Sequence, residues 1–252
     1  MRLGLQGRNA LVTGSDRGIG RAIALGLAAE GTNIVIHCAD DAARAASVVH
    51  EAQGLGVQAG SVMVDLSEND AVQRLFEQAS ELLPTIDIVV INASAQINQT
   101  WDEITREAFD AHMNINIWAT IALIRAFLPA MLERSWGRIL TIGSVQQAKP
   151  HWKTPVYAST KAAQLNLIRN FTRQPAMKGV TFNNLSPGFT ATERTANSMR
   201  DADYMQTTIS AIPMGRIGQP EDCVGAAVFF CSDAAAYITG ADLYIDGGSH
   251  IS

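Results

Sequence analysis

A phenol and an amine stand four positions apart at Tyr157 and Lys161, in the stretch Tyr-Ala-Ser-Thr-Lys. Residues i and i+4 of a helix share one face, a turn apart, so both side chains reach the same place. A free tyrosine ionises at about 10, too high for a general base at neutrality. A neighbouring ammonium favours the phenolate and lowers that value. A phenol so tuned gives or takes a proton at a substrate oxygen. Taken alone, the pair reads better as a solvated helix face, since helices carry many such pairs, so the surrounding elements have to decide.

The first element of interest is a turn. A short apolar run, Asn9 to Thr13, leads into Thr-Gly-Ser-Asp-Arg-Gly-Ile-Gly, Thr13 to Gly20. Gly14 lets the chain leave the strand sharply. Gly18 and Gly20 keep a Cβ from between the backbone and a bound pyrophosphate, or from between helix and sheet. The helix opening at Ile19 offers free N–H groups and its positive end to a phosphate. Such a turn directly after a first strand reads as nucleotide binding.

Beyond it, short apolar runs alternate with longer amphipathic ones. Strands are expected at 9–13, 33–37, 57–65, 87–91, 138–142, 180–185 and 243–246. Helices are expected at 19–30, 41–53, 68–83, 103–134 with a bend near Phe109 to Met113, 156–174 and 220–232. The segment 189–215 reads as irregular or short-helical. This alternation implies right-handed crossovers and a parallel sheet covered on both faces. No repeat or linker divides the chain, so the expectation is one three-layer α/β domain over 1–252, with seven parallel strands. Ligands of such a sheet bind beyond the carboxyl ends of the strands.

Bulk properties exclude other classes. The 252 residues carry a net charge of -5 without a block of Lys or Arg, which argues against nucleic acid or an anionic membrane as partner. No secretory signal is read at the N-terminus, and no apolar stretch approaches the ~18 residues of a spanning helix. Cys38, Cys223 and Cys231 form no C-x-x-C pair and read as reduced, buried thiols of a cytoplasmic protein. His37, His50, His112, His151 and His250 have no ligand spacing, so no metal is expected.

The glycine turn is similar to that of the classical short-chain dehydrogenase/reductase family, and the likeness runs along essentially the whole chain. Asp65-Leu66, Asn92-Ala93, Ser144 thirteen positions before Tyr157, Ser186-Pro187-Gly188 and Thr192 follow in the family's order, as does the stretch 212–248. Asn116 is followed by Pro129 and Met131, as in the family's N-x(12)-P-x-M pattern. The resemblance implies a Rossmann fold, a homotetramer, and reversible carbonyl–alcohol interconversion on a small molecule by direct hydride transfer. It implies that Tyr157 is the acid/base and that Ser144 steadies the substrate oxygen. Lys161 would lower the phenol's pKa and hold the nicotinamide ribose, and Asn116 would anchor a water linking Lys161 to solvent. Gly14, Arg17, Gly18, Ile19, Gly20, Asp65, Leu66, Asn92, Ala93, Tyr157, Lys161, Pro187, Gly188 and Thr192 would hold the coenzyme.

Three places depart from the family. Its N-N-A-G is here Ile91-Asn92-Ala93-Ser94, which adds a hydroxyl near the nicotinamide side. Pro175 is expected to end or kink its helix near Gln174. Cys38 stands where an NAD-selecting acid commonly lies, and Arg17 where NADP-preferring members keep a base. NAD or NADP is therefore the coenzyme, with NADP favoured, although Asp16, Asp40 and Asp41 oppose a 2′-phosphate. Ser144, Gln146, His151 and Tyr157 are read as substrate contacts, with Gln147, Trp152, Lys153 and the loop of about 189–215 around them. Gln, His and Lys there suit a sugar, sugar acid or polyol. The alternatives are a 3-oxoacyl thioester reductase, docking an acidic carrier on Arg134, Arg169, Arg173 and Lys178, and a dinucleotide-binding regulator without catalysis. The regulator reading leaves the retained Tyr, Lys and Ser unexplained.

Overall fold

Strand residues of both parities are buried, which is what a sheet covered on two faces requires. Leu11 and Val35 face one apolar layer; Ala10, Val12, Ile34 and Ile36 face the other. The structure is a computed structural model, and it describes residues 3–174 and 177–252. Seven parallel strands run in the order β3-β2-β1-β4-β5-β6-β7. They are β1 (Asn9–Val12), β2 (Asn33–Cys38), β3 (Ala59–Met63), β4 (Ile88–Ile91), β5 (Gly137–Ile142), β6 (Val180–Pro187) and β7 (Asp242–Ile245). Chain order reverses between β1 and β4, in register Ala10↔Ile88 and Val12↔Val90, and opens a crevice at their carboxyl ends.

Helices α1 (Gly18–Ala29), α2 (Ala42–Gly54) and α3 (Ala71–Leu82) connect the first four strands. The third strand is shorter than expected, pairing only over Ala59–Met63, so Asp65 and Leu66 lie just past its end. The long helix is made of α4 (Arg106–His112), a π-helical turn (Met113–Trp118) and α5 (Ala119–Glu133). The irregularity thus comes after the expected bend, and it carries the fully buried Asn116. Against the expectation that no apolar stretch approaches a spanning length, the 28 residues Arg106–Glu133 are long and apolar enough to cross a membrane by length and composition alone. Here Leu123, Ile124, Phe127 and Met131 pack this helix into the core.

Helix α6 (Pro155–Thr172) opens with a proline in its first turn, where no N–H is needed. It ends two residues before Gln174, as expected, and Pro175 lies outside the described residues. The segment after β6 folds into two short helices, α7 (Ala196–Met199) and α8 (Ala202–Ser210). Helix α9 (Val224–Cys231) returns the chain to β7.

Candidate active site

A cleft of about 980 Å³ lies beyond the carboxyl ends of the central strands, under the segment carrying α7 and α8. Every residue predicted for the site lines it except Gly20, Asn116 and Gln147. Gly14 and Gly18 have φ of 59° and 55°, a conformation that costs other residues strain. Gly20 acts differently from Gly18: a Cβ there would meet the Gly14 carbonyl oxygen at 2.2 Å, so its absence lets α1 approach the turn. Asn92 donates from its side chain to the Thr13 and Gly14 carbonyls, at 2.9 and 2.8 Å. The backbone N–H groups of Asn92 and Ala93 both donate to the Thr13 hydroxyl. Asn92 and Ala93 thus tie the end of β4 to the turn. On the other side His37 Nδ1 accepts from Gly14 N–H at 3.0 Å, while Nε2–H donates to Val64 O at 2.9 Å. Burial lowers His37 to about 4, so the neutral ring keeps the acceptor this bond needs. The turn and the free N-terminus of α1 therefore form a cradle that fits a dinucleotide pyrophosphate.

At the edge of β2, Cys38 is buried, and burial raises its thiol. The cleft is met instead by His37, Ala39 and Asp40. The Asp16 carboxylate is buried and bonded to Arg44 of α2 at 2.8 Å, and Arg44 also lies near Asp41 and Asp40, at 3.4 and 3.7 Å. Asp16, expected to oppose a 2′-phosphate, has Arg44 as its counter-charge. Asp65 caps its own turn by accepting from Ser67 N–H, with Leu66 beside it on the cleft wall.

Tyr157, Ser144 and Lys161 converge at the cleft floor, all buried. Ser144 and Arg194 are the polar side chains that act on the Tyr157 hydroxyl. Lys161 donates to Ile142 O at 2.7 Å and to Gln164 Oε1 at 3.2 Å, with its nitrogen 5.7 Å from the Tyr157 ring centre. This corrects the expected electrostatics. Burial raises the phenol above its ordinary value, and what opposes burial is the Arg194 charge with the Ser144 hydroxyl nearby. Lys161 lies under the ring, and burial with repulsion from Arg194 pushes it down to about 7. The Asn116 side chain bonds Ala95 N, Ala95 O and the Thr160 hydroxyl, fixing the chain after β4 against α6.

Toward the mouth, Gln146 takes a hydrogen bond from Thr154, and His151 stacks on Trp152 with Lys153 over the same indole. Gln147, expected in the pocket, turns away from it. Its amide donates to Ser186 and Asp242, at 2.8 and 2.5 Å, because these polar groups of β6 and β7 need a donor. Arg194 was not singled out from sequence. It lies two residues beyond Thr192, and its Nη1 and Nη2 donate to Ser94 Oγ and Ser94 O, at 3.0 and 2.8 Å. The departure at Ser94 therefore supplies a seat for Arg194. Gln164 was missed as well; only its polarity in the buried stripe of α6 marks it.

Residues 14–250 match the family model described as enoyl-(acyl carrier protein) reductase. The 2-dehydro-3-deoxy-D-gluconate 5-dehydrogenase of Pseudoalteromonas atlantica is 34% identical over 98% of this chain and 97% of its own length. This chain is a short-chain dehydrogenase/reductase. Solved members of the family superpose along its full length. A 3-oxoacyl (acyl-carrier-protein) reductase from Agrobacterium tumefaciens, with NADP bound, has a TM-score of 0.91 at 40% identity, covering 97% of this chain and 95% of its own. A gluconate 5-dehydrogenase from Burkholderia cenocepacia, in complex with NADP and tartrate, has 0.93 at 32%, covering 100% and 98%. The chain is accordingly an NAD(P)-dependent oxidoreductase acting on CH–OH or C=O groups.

Proposed function

We propose that this enzyme interconverts a carbonyl and a secondary alcohol on a small, polar, hydroxylated substrate of the sugar, sugar-acid or polyol class, a sugar acid foremost, with NADP as coenzyme. The observation that carries the substrate class is Arg194. Its guanidinium, seated on Ser94, stands at the Tyr157 hydroxyl and has no carboxylate partner among the described residues. A planar fork beside the reacting oxygen suits a carboxylate. The relatives from Pseudoalteromonas and Burkholderia are named for such acids.

The bound coenzyme supplies or accepts the hydride. In reduction, the Tyr157 O–H gives its proton to the substrate oxygen as the carbonyl carbon gains hydride, leaving a phenolate. Ser144 donates a hydrogen bond to the same oxygen and steadies the charge developing there. Lys161 has three donors, of which two are used, and the third is read as facing the nicotinamide ribose. Gly14, Arg17, Gly18 and Ile19 would hold the pyrophosphate side, Asp65 and Leu66 the adenine, and Pro187, Gly188 and Thr192 the nicotinamide.

NADPH oxidation over 5-dehydro-D-gluconate, sorbose and acetoacetyl-CoA, with NADP⁺ reduction over 2-dehydro-3-deoxy-D-gluconate, tests the reading. A carboxylated sugar is expected to be reduced fastest. Arg194→Met is expected to raise its KM roughly 30-fold while altering that for sorbose little. The Agrobacterium relative favours the thioester reading, yet Arg134 of the supposed carrier patch is already held by Ile86 O and Asp87. Faster turnover of acetoacetyl-CoA than of every sugar acid would replace our substrate class with that one. Coenzyme choice has its own test. Arg44→Ala leaves Asp16 unpaired and is expected to raise the NADPH KM roughly tenfold, with a smaller change for NADH. Equal changes would remove Arg44 from the reading.

We also read the working form as a cytoplasmic homotetramer. Exposed Phe109 and Trp118 on the long helix, and three buried unpaired thiols, support this. Sedimentation velocity checks the assembly.

A further inference from the structure

Between Asn116 and Lys161 stands a fully buried side chain that the scheme above does not use. Gln164, one turn beyond Lys161 on α6, accepts from the Lys161 ammonium at 3.2 Å through Oε1. Its Nε2 donates to the Thr120 hydroxyl at 2.8 Å and to the Asn116 carbonyl at 3.3 Å. The chemistry of the partners fixes which end of the amide is which. An ammonium only donates and a peptide carbonyl only accepts, so the reverse orientation would lose both contacts.

The Asn116 carbonyl also accepts the Thr120 hydroxyl at 2.8 Å. A carbonyl oxygen has two lone pairs, and here two side-chain donors take them. A water anchored at Asn116, as the family resemblance implies, would have to displace one of them to bond this carbonyl. An amide is no substitute conductor. Its N–H hydrogens already point at acceptors, and handing one on would leave an imidate. The bridge holds its partners but does not pass protons.

We propose that Gln164 is a positioning residue that stands in place of a relay water, clamping the Lys161 ammonium to the Asn116 carbonyl and closing the buried exit behind it. This rests on the catalytic reading of Tyr157 and Lys161. Two of the three ammonium hydrogens are then committed, to β5 and to Gln164, and the third is aimed at the cleft. Proton exchange with solvent runs by the cleft mouth, past Ser144 and Tyr157. The ionisable groups facing the ammonium are Tyr157 on its own helix and Arg194 from the segment beyond β6; β5 and α5 present only neutral partners.

Two variants separate this role from packing. Gln164→Leu fills the space but removes the acceptor, so the ammonium form loses support. Gln164→Ala leaves room among three polar atoms, Lys161 Nζ, Asn116 O and Thr120 Oγ1, where a water can enter. The first measurement uses NADPH fluorescence alone, titrated from pH 6 to 10. In Gln164→Leu the pH at which affinity falls is expected to move down by about one unit, while Gln164→Ala stays near the parent. The second is turnover of the fastest carbonyl of the panel. Gln164→Leu is expected to lose kcat roughly tenfold or more, and Gln164→Ala to keep most of it. A purely structural role predicts the opposite order, because the alanine leaves the larger void, and thermal melts of both variants report that effect separately. Parent-like binding and kcat in Gln164→Leu, or equal losses in the two variants, would overturn the proposal. Tyr157→Phe serves as reference: if it remains active the catalytic reading itself is wrong, and if it is inactive while Gln164→Leu is unaffected only the role of Gln164 is.

Discussion

Tyr157→Phe is expected to lower kcat by roughly 10³-fold or more while leaving NADPH affinity within about threefold. The substitution removes one oxygen and keeps the ring, which is buried and lies over Lys161. Ser144 and Arg194 retain their other partners, Gln146 N–H and Ser94, so the cleft keeps its shape. What disappears is the proton donor to the substrate oxygen. The direction of the phenol's shift adds a pH signature. Burial raises its pKa, so the proton is on the oxygen at neutrality and the group is ready to act as an acid. Reduction needs that protonated form; its rate should stay level through neutral pH and fall as pH rises through the phenol's pKa. Oxidation needs the phenolate and should rise over the same span. Single-turnover NADPH oxidation with the carbonyl and NADP⁺ reduction with the alcohol, with coenzyme fluorescence for binding, check all of this. Retained turnover in the phenylalanine variant would remove Tyr157 from the chemistry.

That prediction was readable from sequence because its parts are local. Tyr157 and Lys161 are a turn apart on one helix, and the glycine turn follows one strand, so spacing alone brought each set together. Pattern also gave the strand–helix alternation, since buried runs such as Ile34-Val35-Ile36 have no other stable use at that length. What stayed illegible lies between elements distant in the chain. Arg44 meets Asp16 across 28 positions, Gln164 meets Thr120 across 44, and Arg194 meets Ser94 across 100. No periodicity encodes such meetings. The tuning of Tyr157 was misread for a related reason. Sequence placed Lys161 near the phenol, but not the Ile142 carbonyl that draws its ammonium beneath the ring. The long apolar helix carries the same lesson, because only its packing shows which of its faces the core takes.

Gly20→Ala is expected to lower NADPH affinity by more than roughly 100-fold and to destabilise the fold, although a single methyl is added. The methyl would stand 2.2 Å from the Gly14 carbonyl oxygen and 2.4 Å from Asn92 Nδ2. Neither neighbour is free to give way. The Gly14 carbonyl accepts from that same Asn92 amide, and Gly14 N–H is held by His37, whose other nitrogen is tied to Val64 O. Asn92 in turn holds the Thr13 carbonyl. Moving any of them strains β1, β2 and β4 together, or pushes the N-terminus of α1 off the turn and takes the pyrophosphate donors with it. Gly225→Ala in α9 is the matching control. Nothing lies within 4 Å of its added methyl, so it should be neutral or add up to about 1 kcal/mol to stability. Circular dichroism with coenzyme titration separates lost folding from lost binding. Parent-like NADPH affinity in Gly20→Ala would mean that the turn tolerates a wider approach of α1, and the cradle assigned to the pyrophosphate would have to be sought elsewhere along the cleft.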